Sequence, residues 1–211
     1  MTKLEAKCPS CGAPVTYDSV LSFLTVCPYC RGLVLRDEQK LSLLGKAAEL
    51  QQDATPLQLG VTGTYDGRAF TVIGRLQLSY DKGTWNEWFL DFGEGHGGWL
   101  AEAQGLYGVT FYVKTKDPLP ERIALKLTRP IEIDGQAWIV KDLLAARYSA
   151  AEGQLPFSVP FDKDFSLADL SGDGAAFATI DYSESTPVLF AGRYAPFDSF
   201  AFKGLRSFEG W

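Results

Sequence analysis

The 211-residue chain has one histidine, one methionine and four cysteines, and these scarcities exclude more than the rest of its composition does. His96 is the only imidazole and lies in the glycine-rich stretch GEGHGG, so neither a histidine-rich metal site nor a paired histidine relay can be assembled. No Gly-x-Ser-x-Gly elbow occurs, and GEGHGG lacks the lysine and following helix of a phosphate-binding loop. No run approaches the roughly 20 apolar residues that span a bilayer. Positive charge is scarce as well: 20 Lys and Arg against 26 Asp and Glu give a net charge of −6, which disfavours nucleic-acid binding through phosphate neutralisation. The 46% hydrophobic and 22% charged content is that of an ordinary soluble globular chain long enough to bury a core.

The four cysteines form two Cys-x-x-Cys pairs, Cys8/Cys11 in CPSCG and Cys27/Cys30 in CPYCRG. Two cysteines three residues apart chelate one ion only if the chain turns sharply between them. Pro9 and Pro28 preset that turn, and Gly12 can take the left-handed conformation that follows it. Arg31 holds the corresponding place in the second pair. The spacing is that of a zinc ribbon, with four thiolates closing a tetrahedral cage around one structural Zn²⁺ per chain. The competing uses of the thiols are a disulfide, disfavoured because residues 1–7 carry no apolar leader; an iron site, which four thiolates also suit; and a redox Cys-x-x-Cys, which usually occurs once. The segments Ala13 to Tyr17 and Leu21 to Val26 read as strands joined at Asp18-Ser19, an arrangement that predicts one hairpin with both pairs at its end.

Composition divides the rest. Residues 37–54 are helix formers with Leu41, Leu44 and Ala48 on one face, which predicts a short amphipathic connecting helix ended by Ala54-Thr55-Pro56. From residue 55 to 211 the text is strands and turns. The alternation at Phe70, Val72, Leu76, Leu78 and Tyr80, then WNEWFLDF, GWLAE and the Tyr107–Val113 run, predicts an antiparallel meander. The expected organisation is a ribbon at 1–36, a helical linker at 37–54 and an antiparallel β sandwich or barrel at 55–211.

The β text comes round twice. A shift of 68 residues lays YDGRAFTVIGRLQLSY (Tyr65 to Tyr80) on IDGQAWIVKDLLAARY (Ile133 to Tyr148), with Asp66, Gly67, Ala69, Val72, Leu76 and Tyr80 meeting identical residues. Phe70 meets Trp138. Two related β units, at about 57–116 and 128–207, each opened by an Asp-Gly hairpin, are expected. Helix propensity competes most with this reading at DLLAARY.

The WNEW, GWLAEAQG and Asp-Tyr-Ser elements, within the run GVTGTYDGRAF to LYGVTF and the later GQLPF, DLSG, ATIDYSESTP and FAGRY, resemble the bacterial family called domain of unknown function 4178. The resemblance covers roughly residues 55–207. It implies an N-terminal zinc ribbon in similar members and no established activity. It also implies a gene neighbourhood of polyamine synthesis and of small membrane or membrane-stress proteins.

The expected function is therefore that of a non-catalytic, cytoplasmic zinc-binding adaptor that holds protein partners together, with no nucleic acid and no transmembrane segment, peripheral at most to a membrane complex. The other reading is a β domain that binds a small cation such as a polyamine. Its candidate residues are Trp85, Trp88 and Trp99 as cation-π faces and Glu87, Asp91, Glu94 and Glu102 as charge. The bland reading of the tryptophans is core packing. Catalysis is not expected: the acid pair Glu87 and Asp91, four residues apart on one strand, is separated by roughly 13 Å, too far for a two-carboxylate glycosidase.

Overall fold

A computed structural model describes residues 4–37, 40–161 and 163–207. The chain is mainly β, and its described residues contain no α-helix, only short 3₁₀ turns at Arg122–Ala124 and Phe197–Phe200.

The first segment holds β1 (Leu4–Lys7), β2 (Pro14–Tyr17), β3 (Leu24–Val26), β4 (Gly32–Asp37) and β5 (Lys40–Lys46). Its two Cys-x-x-Cys turns sit on separate hairpins. β1 pairs with β2 around the first turn, and β3 with β4 around the second. This replaces the single hairpin expected from Ala13 to Val26; β2 and β3 are instead joined by a turn that packs on the larger domain. The expected connecting helix is also replaced. β5 pairs with β4, Leu44 is bulged out between Leu43 and Gly45, and Gly45 has φ 146°. Residues 38 and 39 of that stretch lie outside the described residues. From Ala47 to Val61 the chain has no regular secondary structure and buries Leu57 and Val61. Cross-strand pairing and burial outweigh a helix propensity that Gly45 already weakens.

Ten strands make up the large domain: β6 (Thr62–Tyr65), β7 (Arg68–Tyr80), β8 (Gly83–Asp91), β9 (Gly97–Ala103), β10 (Leu106–Val113), β11 (Pro130–Ile133), β12 (Gln136–Leu155), β13 (Asp164–Ser171), β14 (Ala176–Asp181) and β15 (Val188–Tyr194). Eight of them close into an antiparallel barrel in the order β7-β8-β9-β10-β15-β14-β13-β12, with β12 returning to β7. The shorter β6 and β11 are hairpin arms on β7 and β12.

The two halves follow the 68-residue repeat in detail. Both hairpins turn on an Asp-Gly pair with positive φ at both residues (49° and 73° at Asp66-Gly67, 50° and 82° at Asp134-Gly135), the geometry whose twist matches paired strands. Each long strand then carries a bulge at the equivalent place, between Val72 and Gly74 against β8 and between Val140 and Asp142 against β13. DLLAARY is strand throughout, and Phe70 and Trp138 are both buried. The bulge matters because it changes which face points inward. Val72 and Val140 pack on the outside, whereas Leu76, Leu78, Leu144 and Tyr148 face the lumen.

Three apolar clusters follow. One lies outside β7–β10, with Trp88, Leu90 and Leu100 covered by Leu57, Val61 and Phe200. One lies outside β12–β15, around Trp138, Leu170 and Ile180 under Leu125 and Ile133. The third fills one end of the lumen. Closure depends on two seams where backbones approach too closely for a side chain. A Cβ at Gly74 would lie 2.0 Å from the Gln154 carbonyl oxygen, and one at Gly192 would lie 1.8 Å from that of Val109.

Candidate functional site: an acidic barrel lumen and a four-cysteine cluster

The cysteine cluster is built by two equivalent knuckles. Gly12 N–H donates to the Cys8 carbonyl and Arg31 N–H to the Cys27 carbonyl, each at 2.9 Å. Gly12 has φ 75° and Arg31 φ 61°, so Arg31 accepts the left-handed conformation that glycine takes in the first knuckle. The Arg31 guanidinium also donates to the Ala47 and Ala48 carbonyls, tying the knuckle to the chain that leaves β5. Cys8, Cys11, Cys27 and Cys30 bring their sulfurs within 4.8 Å of one another, with Cys8–Cys30 at 3.6 Å and Cys11–Cys27 at 3.7 Å. Metal–sulfur bonds of about 2.3 Å in a tetrahedron put sulfurs about 3.8 Å apart, so the four thiols have the spacing of a tetrahedral metal cage. The Gly32 amide donates to Cys30 Sγ and draws that thiol down, while Cys11, against the pull of the Ala13 amide, is pushed up by hydrogen bonds to the neighbouring sulfurs and by burial.

The second site is the lumen, a cavity of about 330 Å³ to which all eight barrel strands contribute. Aromatic rings form much of its wall: Trp85, Trp99, Tyr148, Phe157, Phe165 and Phe177. Into it project Glu87 from β8, Asp169 from β13 and Asp181 from β14. Among the described residues no lysine, arginine or histidine lines it. Each carboxylate has a hydrogen-bond donor near it. Trp85 Nε1 reaches Glu87 Oε1 at 3.1 Å, Thr179 Oγ1 reaches Asp169 Oδ1 at 2.8 Å, and the Ser183 amide reaches Asp181 Oδ1 at 2.6 Å. Those bonds do not offset burial. Loss of bulk water raises Glu87 to about 8, with Asp169 and Asp181 adding repulsion; it raises Asp169 to about 6, and lifts Asp181 as well. Burial also raises the Tyr148 and Tyr194 hydroxyls, so both stay protonated donors at neutral pH.

The lumen has one open end. Its solvent-exposed lining residues, Thr84, Ala103, Gln104, Leu106, Asp142 and Tyr194, all stand at the end carrying the β7–β8 and β9–β10 turns. At the other end Phe157 packs on Trp99 (5.8 Å between centroids) and on Tyr148 (6.3 Å).

Of the residues singled out in the sequence, the structure brings Trp85, Glu87 and Trp99 together in the lumen and sends Trp88 and Glu102 to the opposite face. There Glu102 Oε2 accepts from Trp88 Nε1 (2.9 Å), Thr55 Oγ1 (2.7 Å) and Asn86 Nδ2 (3.2 Å). The Arg75 guanidinium lies 4.7 Å over the Trp88 ring, bonds Asn86 Oδ1 and pairs with Asp53. This buried network straps residues 51–57 onto the barrel. Asp91 accepts the Gly93 amide at the turn out of β8, while Glu94 and His96 are exposed in that turn. Sequence reasoning missed Asp169, Asp181 and Tyr148. For Asp169 and Tyr148 the signal was an acid or a phenol in phase with an apolar residue two places earlier, Leu167 and Ala146; Asp181, between Thr179 and Ser183, carried no such signal.

Fold and site together define an all-β barrel with an acidic, aromatic lumen and a four-cysteine cluster at its N-terminal side. The chain belongs to the family described as a domain of unknown function (DUF4178), whose model matches residues 58–197. No curated protein and no solved structure matches it.

Proposed function

We propose that the protein is a non-catalytic binding protein whose barrel lumen takes a small organic cation, a linear polyamine being the class that suits it, and whose cysteine cluster holds one structural Zn²⁺. The observation that carries this reading is the pairing of three inward carboxylates with an aromatic wall and no basic residue. Half-buried carboxylates crowded together without counter-charge are costly, and a bound ammonium relieves that cost while its methylenes lie against rings that also attract cations. An eight-stranded barrel has room for one small ligand. At about 30 Å³ of liquid volume per water, the cavity suits roughly ten non-hydrogen atoms. A raised carboxyl is also what a general acid needs, but the lining offers no histidine or cysteine to act beside it as nucleophile or proton relay. Four metal-bound thiolates leave no open coordination position and call for a reducing compartment, the cytoplasm. Among the described residues no helix is long and apolar enough to cross a membrane.

The test is calorimetric titration of spermidine into the zinc-loaded protein. Saturable binding in the micromolar to millimolar range is expected. Affinity should fall as salt rises and drop at least tenfold in Glu87→Gln. No binding at millimolar spermidine defeats the reading.

The adaptor reading is favoured by a different observation: Val20, Phe23 and Tyr29 on the N-terminal segment are 56%, 50% and 71% exposed. Isolated surface hydrophobics are common, so this supports a protein contact less strongly than the lumen supports a ligand. Co-purification of a partner from native cells, lost in Val20→Ser/Phe23→Ser, is the result it requires.

A further inference from the structure

The N-terminal segment is not a free appendage. β3 adds to the end of β12 through Thr25↔Gln154 and Leu24↔Leu155, and the Phe23 amide donates to the Leu155 carbonyl at 2.9 Å. Gln154, buried at the same point, accepts from the Asp18 amide (2.8 Å) and Ser22 Oγ (2.6 Å), and donates to the Asp18 carboxylate. Leu24, Val26 and Leu33 share one apolar cluster with Leu76, Trp99, Tyr148 and Leu167, which line the lumen. Leu21 lies over the β8–β9 turn, so close that a Cβ at Gly97 would come within 2.9 Å of it. Two residues beyond Leu155, Phe157 turns into the lumen wall against Trp99.

We propose that the four-cysteine segment is the floor of the barrel, so that metal occupancy at the cysteines controls how tightly the lumen holds a cation. The second clause rests on the cation reading above; the first does not. β3 has three residues and a thin apolar layer, and such segments take much of their folding free energy from the metal. Without the metal, the Leu24/Leu155 ladder and the Leu21 cover lose their support, and Phe157, which closes the lumen, is freed with them. Coupling between two sites through a shared element is reciprocal, so a cation that orders the floor also slows metal loss.

The experiment compares zinc-loaded protein with chelator-stripped protein by backbone hydrogen exchange. Stripping is expected to raise exchange at least tenfold at Leu155–Phe157 and Gly97–Trp99, with the open-end turns at 81–82 and 104–105 unchanged. Exchange that rises only within residues 4–46 overturns the proposal. Should the stripped chain unfold as a whole, zinc-loaded Leu21→Ala decides: faster exchange at Gly97–Trp99 is expected, and wild-type exchange there overturns the proposal. In the ligand arm, spermidine affinity should fall at least tenfold on stripping, and saturating spermidine should slow zinc transfer to a chromophoric chelator. Unchanged affinity in stripped, folded protein overturns the coupling. Absence of spermidine binding to zinc-loaded wild type overturns the cation reading and the coupling clause, while the exchange data decide the floor.

Discussion

Glu87 and Asp181 stand on opposite walls of the barrel: β8 and β14 are separated by three intervening strands in either direction around the ring. Asp169, on the strand beside β14, is placed diagonally to Asp181, because Asp169 pairs with Thr179 and Leu167 with Asp181. Two acidic walls therefore face each other across an aromatic space, and the charges of Asp169 and Asp181 add to the affinity of Glu87 for its proton.

That arrangement fixes the sign of a pH effect on stability. Glu87 has a folded value of about 8 against 4.5 for the free group, so between those pH values the native state holds more proton than the unfolded state. Stability from this residue is complete below pH 4.5 and declines as pH rises through 8, by at most about 1.4 kcal/mol per unit. Thermal melts of ligand-free protein from pH 5 to 8 should show wild type losing ground to Glu87→Gln. A wild type that gains on the variant with rising pH would contradict the buried-acid description.

Arg75 should be indispensable to the fold. Its guanidinium is buried against Trp88 and bonded to Asp53 and Asn86. Arg75→Met leaves the Asp53 carboxylate without its counter-charge and Asn86 Oδ1 without its donor, and a loss of about 3–5 kcal/mol is expected in urea unfolding. Trp88→Ala should cost a similar ~3–5 kcal/mol by opening a large cavity. A change below about 1 kcal/mol in either variant would argue against this network.

Gly192→Ala tests ring closure. The added methyl meets the Val109 carbonyl, which belongs to a neighbouring strand's backbone and cannot rotate away. Loss of soluble protein, or destabilisation above about 4 kcal/mol, is expected. Gly67→Ala is a milder contrast, since nothing lies within 4 Å of its Cβ position and only the φ of 73° is strained; about 1–2 kcal/mol is expected by chemical denaturation.

Metal analysis of protein purified without chelator should give about one zinc per chain. Cys27→Ser should lose the metal. A visible thiolate charge-transfer absorption with bound iron would reassign the site while leaving its geometry intact.

Much of this was legible in the chain. The Cys-x-x-Cys spacing implied the cluster because two turns at fixed offsets permit few other uses, and the repeated Asp-Gly-x-Ala-aromatic text implied two equivalent hairpins because turn chemistry is local. The lumen was not legible. Whether Glu87, Asp169 and Asp181 share a space depends on the bulges beyond Val72 and Val140, which reset the inward phase, and on a closure that pairs strands far apart in sequence. A local hairpin, by contrast, placed β5 on β4 where Leu41, Leu44 and Ala48 spelled a helix. Trp88 and Glu102 read like Trp85 and Glu87 in sequence. Only the period of two along β8, and the strap over its outer face, separates them.

The repeat also has a consequence for the lumen. In the first unit Leu76 pairs with Glu87 and Gly74 with Phe89; at the equivalent places in the second, Leu144 pairs with Leu167 and Asp142 with Asp169. The backbone thus keeps a two-fold relationship that the charges have abandoned. A chain-like molecule lying in this lumen would therefore meet different surroundings on the wall of the first unit and on the wall of the second.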